Sequence, residues 1–431
     1  MAYTRAARKL SQSVPRRRGK ASYASVTSVI GCSPGEHSSL VNRARCYSQV
    51  SVRKDFLWPA ATSIATILAI SSLISLRDKQ KTPEPGGRLG ALEKALRQEP
   101  ASPYRWCDLG EAFFEEGQQE RSRYCFFEAK RLAPNLPGIW MRASAFHFRI
   151  GEIHEALQST AKVLAIVPDF DEAIFEGYDR HVPAVSDVVP GLEGNRRASQ
   201  AYFRHILRAE RTADADITWK WLRHRSFTDD QLAAAYLDLL LKHRMFATVV
   251  ETWASYQGEH RGDYPYPNLL SNAGFENELT GAALDWKISD VSGAATLRDR
   301  SCARSGAYAL HIVFQGVGNV DYGHVVQTVY VRLGEYELQA FVRTAGLTTN
   351  EGIRLHVFDA ESSARLDVYT EQLTGTNDWT RIERRFRVPA GTNLIKVQVC
   401  RRPSLKFDNK IRGDAWIDAV SLRNIPEGTS Q

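Results

Sequence analysis

From Pro103 to Pro168 apolar residues recur with a helical period, and the pattern is written twice. Trp106, Leu109, Gly110 and Phe113 stand at i, i+3, i+4 and i+7 and so line one face of a helix. Trp140, Gly151, Ala156 and Pro168 follow Trp106, Gly117, Ser122 and Pro134 at a spacing of 34 residues. Gly110 and Ser122 are small where two helices must approach, Gly117 falls in the turn between them, and Pro134 ends the second helix. The second copy is thinner, with Ser144, Thr160 and Val163 where the first has Gly110, Phe126 and Ala129. Leu92, Ala95, Leu96 and Pro100 predict a preceding half-unit. After an irregular crossing at Arg180–Asn195, helices are predicted over Arg197–Arg211, Asp214–Arg225, Asp229–His243 and Phe246–Tyr256, with Thr228 or Asp229 as an N-cap.

Beyond Gly258 the period changes from 3.6 to 2. Strands are predicted over Tyr308–Phe314, Val325–Val331, Tyr336–Arg343, Ile353–Phe358, Arg381–Val388, Leu394–Cys400 and Ala415–Leu422, separated by turn residues such as Gly334, Gly346 and Gly391. At the other end, Phe56–Leu76 is an uncharged run whose helix just spans a hydrocarbon core of about 30 Å. The chain therefore reads as multi-domain: a disordered basic tail (1–55), a single transmembrane helix (56–76), a tether (77–87), a helical-repeat solenoid (88–257), a linker (258–267), an all-β sandwich (268–423) and a short tail (424–431). The basic flank predicts a cytoplasmic N-terminus with the bulk of the chain exported. The Arg- and Ser-rich start, with Arg45-Cys46-Tyr47-Ser48, alternatively predicts a mitochondrial presequence and an inner mitochondrial membrane.

The 34-residue unit resembles the tetratricopeptide repeat, two antiparallel helices per unit. The residues carrying the resemblance are Trp106, Gly110, Phe113, Ala129, Pro134, Trp140, Ala156 and Pro168. It implies a solenoid whose concave face takes a protein partner, with Trp106 and Trp140 buried between paired helices.

The strand-rich half resembles the calcium-stabilised jelly-roll carbohydrate-binding modules. The resemblance rests on Asn268–Glu276, Trp286, Ser305–Leu310, Gly334-Glu335-Tyr336, Trp379, Phe386–Pro389 and Ala415–Leu422. It implies that Glu276 and Asp418 hold one structural calcium pinning the first strand to the last, although Ala419 stands where the family often has a second acid. It also implies core positions for Trp286 and Trp379. Strand alternation turns Tyr336, Leu338, Ala340 and Val342 inward. On the opposite faces it leaves Phe341, Arg354, His356, Phe358 and Gln398, the candidate glycan-binding residues, unless loops or the helical half cover them. Aromatic rings would stack on sugar faces and the polar groups would hold hydroxyls.

The net charge of +7 suggests nucleic acid until it is located. Residues 1–55 hold eleven Lys and Arg against Glu36 and Asp55, leaving 45 basic and 47 acidic residues in the remainder, so no nucleic-acid partner is expected. The six cysteines show no metal-ligand spacing; Cys302 and Cys400 are candidates to pair in an oxidising compartment. No hydrolase, phosphate-cradling or zinc motif is present, and no enzyme is expected. The jelly-roll resemblance implies a bacterial setting, so the function expected is a non-catalytic cell-envelope adaptor anchored in the bacterial inner membrane with a periplasmic bulk, binding a partner protein through its repeats and a polysaccharide through its jelly roll. The alternative is a structural assembly factor that binds no sugar.

Overall fold

The computed structural model describes residues 87–426. The helical half runs through α1 (Gly87–Gln98), α2 (Pro103–Glu115), α3 (Gln119–Leu132), α4 (Pro137–Arg149), α5 (Ile153–Ile166) and α6 (Asp171–His181). It continues through α7 (Arg196–Arg208), α8 (Thr212–His224), α9 (Asp230–Lys242) and α10 (Phe246–Gln257). Helices α2 and α3 form one antiparallel pair and α4 and α5 the next. Gly110 lets α3 close in, because a Cβ there would lie 3.1 Å from that of Cys125. Ser122 Oγ donates to the Gly110 carbonyl at 2.7 Å. Gly117 and Gly151 turn the corner at φ +74° and +78°, a region that favours glycine.

The repeat tryptophans are half-buried rather than buried. Each spends its indole N–H on a carbonyl six residues earlier: Trp106 Nε1 donates to Pro100 O at 2.9 Å and Trp140 Nε1 to Pro134 O at 2.8 Å. The ring thus clasps the end of the preceding helix instead of filling the seam, which Cys107, Phe126, Ala143 and Phe146 occupy. Arg142 joins successive units through Asp108 and Glu111, both at 2.8 Å. The crossing expected to be irregular contains a helical turn (Val185–Val188) and a 3₁₀ turn (Val189–Leu192) whose Val185, Val188, Val189 and Leu192 enter the core. This half is a repeat helical domain.

The strand-rich half is a sandwich of two five-stranded antiparallel sheets. Its strands are β1 (Lys287–Ile288), β2 (Ala294–Asp299), β3 (Ala309–Gln315), β4 (Tyr322–Tyr330) and β5 (Gly334–Leu347), then β6 (Arg354–Asp359), β7 (Asp367–Tyr369), β8 (Gly375–Val388), β9 (Leu394–Arg401) and β10 (Arg412–Ile425). The first sheet has the order β1-β4-β9-β6-β7 and the second β2-β3-β10-β5-β8. Tyr336, Leu338, Ala340 and Val342 face Val325, Val397 and Ile417 in the shared core, as alternation predicts. Trp286 is fully buried, whereas Trp379 is only half-buried.

The segment expected to link the halves is ordered and partly buried. Tyr264 lies in the helical core together with Ala282 and Leu284, which come from the strand-rich half. Trp253 of α10 donates to Ser271 Oγ at 3.0 Å, and Phe246 stacks on Tyr330 of β4. Arg244 pairs with Glu361 at 2.7 Å.

The expected transmembrane helix is corrected. Among the described residues no helix is long and apolar enough to cross a membrane. The longest, α3 and α5, have 14 residues and reach about 21 Å, short of the roughly 30 Å needed. Phe56–Leu76 lies outside the described residues, and the inner-membrane placements, bacterial or mitochondrial, conflict with this finding and are dropped.

Candidate functional site

On the outward face of the first sheet, strand pairing sets Val326, Gln398, His356 and Tyr369 in one row across β4, β9, β6 and β7. Beside it runs a row of Thr328, Lys396, Phe358 and Asp367, and Arg354 stands opposite Cys400. Four of the five candidate glycan residues, Arg354, His356, Phe358 and Gln398, therefore share this face. Phe341 does not: β5 belongs to the second sheet, so its outward side looks away from the other four. Alternation orders a strand's two faces but does not say to which sheet the strand belongs.

The rings form a ladder. His356 lies against Tyr369 with centroids 4.0 Å apart and an interplanar angle of 4°, and against Phe358 at 4.5 Å. Two rings this close and nearly parallel must cover opposite faces of the imidazole. The Arg402 guanidinium sits 4.0 Å over the remaining face of Tyr369. The faces of His356 and Tyr369 are therefore used within the ladder, and beyond His356 the Phe358 ring meets, among the described residues, only Lys396 Nζ, 6.0 Å from its centroid. Gln398 is fixed by donation from Nε2 to Gly323 O at 2.7 Å, which turns its Oε1 toward His356 Nδ1 at 3.2 Å. Asp367 Oδ1 meets His356 Nε2 at 2.5 Å. Both ring nitrogens of His356 are therefore engaged by neighbouring side chains. Arg354 is turned aside, to Glu351 at 2.5 Å.

Next to this ladder opens a cleft of about 320 Å3 lined by Asp321, Gly323, His324, Tyr369, Gln398 and Arg402. Asp321 and Arg402 are exposed at its rim. Its floor includes Arg401, fully buried, which donates to Asn319 Oδ1 at 2.9 Å, Val320 O at 2.5 Å and Thr349 Oγ1 at 3.1 Å. Burial pushes the Cys400 thiol up to about 12, so it is an inert small side chain. Cys302 and Cys400 are both free. Tyr369, His324 and Arg402 escaped sequence reasoning, because β7 is three residues long, His324 sits in the irregular first part of β4 and Arg402 lies just past the end of β9.

Larger concavities lie in the helical half. One of about 700 Å3 is lined by Asp216, Trp219, Lys220, Arg223, Tyr236 and Ser255 of α8, α9 and α10. Another, of about 510 Å3, is lined by Trp106, Leu109, Phe113 and Tyr124. Of the signature residues, Gly110, Phe113, Ala129 and Ala156 are buried, and Pro134 and Pro168 are exposed where helices end.

The two carboxylates expected to pin the sandwich do converge, around the loop 304–308. Asp418 is buried, and its Oδ2 accepts the backbone N–H groups of Arg304 and Ser305, each at 2.9 Å. Glu276 accepts from Ala307 N at 3.0 Å and from Tyr308 N at 3.2 Å. Gly306 has φ +65°, and a Cβ there would collide with the Glu276 carboxylate. The bulge at Asp418/Ser421 puts Ala419 at φ +48° and turns the Val420 N–H to Ala273 O at 3.0 Å, lacing the first segment to the last strand. Burial pushes the Asp418 carboxyl above its usual range, opposed by backbone N–H bonds from Ser305, Ala419 and Arg304 and reinforced by the charge of Glu276. Paired carboxylate oxygens in a cradle with no room for a side chain fit calcium chemically, the remaining ligands falling to carbonyls or water. Among the described residues no group of three or more His, Cys, Asp or Glu converges.

No protein-family model and no curated protein matches the chain. The strand-rich half is similar in structure to carbohydrate-binding modules. One is TmCBM61 in complex with β-1,4-galactotriose, at 20% identity and a TM-score of 0.27, covering 37% of this chain and 99% of that one. A second is the CBM22-1 xylan-binding domain of Paenibacillus barcinonensis Xyn10C, at 13% identity and 0.25, covering 36% and 94%. A third is a xylan-binding domain of CBM 22, at 15% identity and 0.27, covering 39% and 100%.

Proposed function

We propose that this protein is a non-catalytic binding protein, whose sandwich takes a saccharide in the cleft between β4, β9, β6 and β7. The observation carrying this reading is the exposed polar rim, Asp321 and the Tyr369-stacked Arg402, set over a fixed Gln398–His356–Asp367 chain. A carboxylate and a guanidinium bind adjacent sugar hydroxyls through charge-assisted hydrogen bonds. Recognition in the cleft then rests on hydrogen bonding more than on ring stacking, because the faces of Tyr369, the ring that lines it, are taken by His356 and Arg402. The helical half, read as tetratricopeptide-like repeats, offers its grooves to a protein partner, which makes the chain an adaptor.

The test is binding of the full chain to xylan, to β-1,4-galactan and to other neutral polysaccharides, for wild type, Arg402→Ala and Tyr369→Ala. Each substitution is expected to weaken binding about tenfold, through the loss of one charge-assisted contact or of the ladder that holds it. A protein that binds none of these polysaccharides, or variants that bind as wild type does, favours the assembly-factor reading.

In the same proposal Glu276 and Asp418 hold calcium as a structural ion. The linkage has a definite sign. Asp418's folded pKa is raised, so its contribution to stability is fully present below the unfolded value of about 3.9 and is lost as pH rises through the folded value. In chelator, wild type should therefore lose melting temperature relative to Asp418→Asn as pH rises toward neutrality. Millimolar calcium should restore it in wild type only. An unchanged wild-type melting temperature on adding calcium at pH 7 ends the calcium proposal.

A further inference from the structure

The outward face of the second sheet has a different character. Phe341 is capped by the Arg304 guanidinium, 3.3 Å from its ring centroid. Tyr308 is held between Arg298 at 4.1 Å and Arg300 at 4.6 Å. Arg343 follows Phe341 by two residues on the same face of β5 and reaches Cys302 Sγ at 3.0 Å, while Arg381 of β8 stands opposite Phe341. Arg298 is committed, donating to the carbonyls of Phe275 and Glu276, both at 2.8 Å, and pairing with Glu278. Arg300 and Arg304 are exposed, and neither has an ion pair with any described residue. A guanidinium stacked flat on an aromatic ring keeps its in-plane N–H edge available, preorganised for a planar or tetrahedral anion.

The backbone holds this arrangement in place. The loop carrying Arg304 is fixed from below by the N–H groups of 304 and 305 on Asp418 and of 307 and 308 on Glu276. The guanidiniums therefore do not order themselves at the moment of binding, which lowers the entropic cost of capturing a ligand.

We propose that this face, centred on Arg304 and Phe341, is a second binding surface, for an acidic polysaccharide carrying carboxylate or sulfate groups. The choice of polyanion follows from the neighbouring charges. Glu383 on β8 and Glu337 on β5 interleave with the arginines, pairing with Arg381 and with Arg385. A single-stranded nucleic acid adds base stacking on open rings to its phosphate contacts, and the cationic groups of Arg304, Arg298 and Arg300 already cover Phe341 and Tyr308; an acidic polysaccharide needs only the guanidinium edges. The surface lies on the opposite side of the sandwich from the neutral-sugar cleft and does not depend on it.

The test titrates full-length protein with polygalacturonate as the carboxylate probe, heparin as the sulfate probe, and a single-stranded DNA oligonucleotide. The variants are Arg304→Gln/Arg343→Gln, Arg304→Lys and His356→Ala, each checked for an unchanged melting temperature. Binding to at least one acidic polysaccharide is expected, weakening with added salt. The double variant should lose about tenfold or more and Arg304→Lys part of that, because lysine keeps the charge without the stack. His356→Ala, in the cleft, should bind acidic polysaccharide as wild type does. No acidic polysaccharide binding, a double variant that binds normally, or DNA bound as tightly as either polysaccharide overturns the proposal.

Discussion

Replacing Trp253 with alanine is expected to destabilise the protein by about 3–5 kcal/mol, the usual cost of emptying a fully buried aromatic site. The residue is 0% exposed and stacks on Tyr256 with centroids 5.8 Å apart. Its indole N–H reaches Ser271 Oγ, and Ser271 in turn exchanges two bonds with Gln327 of β4, at 3.0 and 2.9 Å. A single side chain thereby joins the last helix to the core of the first sheet, so the loss should register in both halves. Urea unfolding followed by far-UV and near-UV signals is the measurement. Trp253→Phe, which keeps the burial and loses the hydrogen bond, should cost roughly 1–2 kcal/mol. A shift below about 1 kcal/mol for Trp253→Ala would show that the joint contributes little.

Arg401→Leu is the second large effect, about 3 kcal/mol or more. The guanidinium is buried, no carboxylate among the described residues lies within ion-pair distance, and burial lowers its pKa. Its charge is tolerated because Asn319 Oδ1, Val320 O, Thr349 Oγ1 and Glu351 O accept its protons. Leucine removes every donor and leaves those acceptors facing apolar surface, where each unmade bond costs about 1–3 kcal/mol before relaxation. The loops 319–324 and 349–351 meet on this group, so the cleft should lose its shape with its support. Thermal melting together with saccharide titration checks both consequences; an unaltered melt would mean that water replaces the guanidinium at little cost.

Much of this architecture is legible in the chain. The 34-residue spacing located Gly110, Ser122 and the turn glycines, and strand alternation found which residues of β5 and β9 turn inward. Three features escaped it for physical reasons. Strands β2 and β7 are short and carry charged or small residues at positions that a strand pattern needs apolar, so Tyr369 and Asp367 went unplaced. The tryptophans at 106 and 140 satisfy their N–H groups on proline carbonyls, which no hydrophobic period encodes. Phe341 was grouped with Phe358 because sequence order does not reveal that β5 and β6 lie in different sheets. The carboxylates Glu276 and Asp418, by contrast, are 142 positions apart in the chain, and both accept backbone N–H groups of the loop 304–308.

The seating of the last helix on the sandwich, with Tyr264, Ala282 and Leu284 in one core and Phe246 against Tyr330, removes the slack that a tether between two modules would have. For two sites on a flexible leash, the gain from occupying both depends on linker length and falls as that length grows. Here the separation between groove and cleft is a constant of the fold. A ligand or assembly that reaches both surfaces is selected by its own span: one of matching reach gains the full avidity, and one too short gains none. With both proposed sites in use, the protein would gauge distance as well as chemistry.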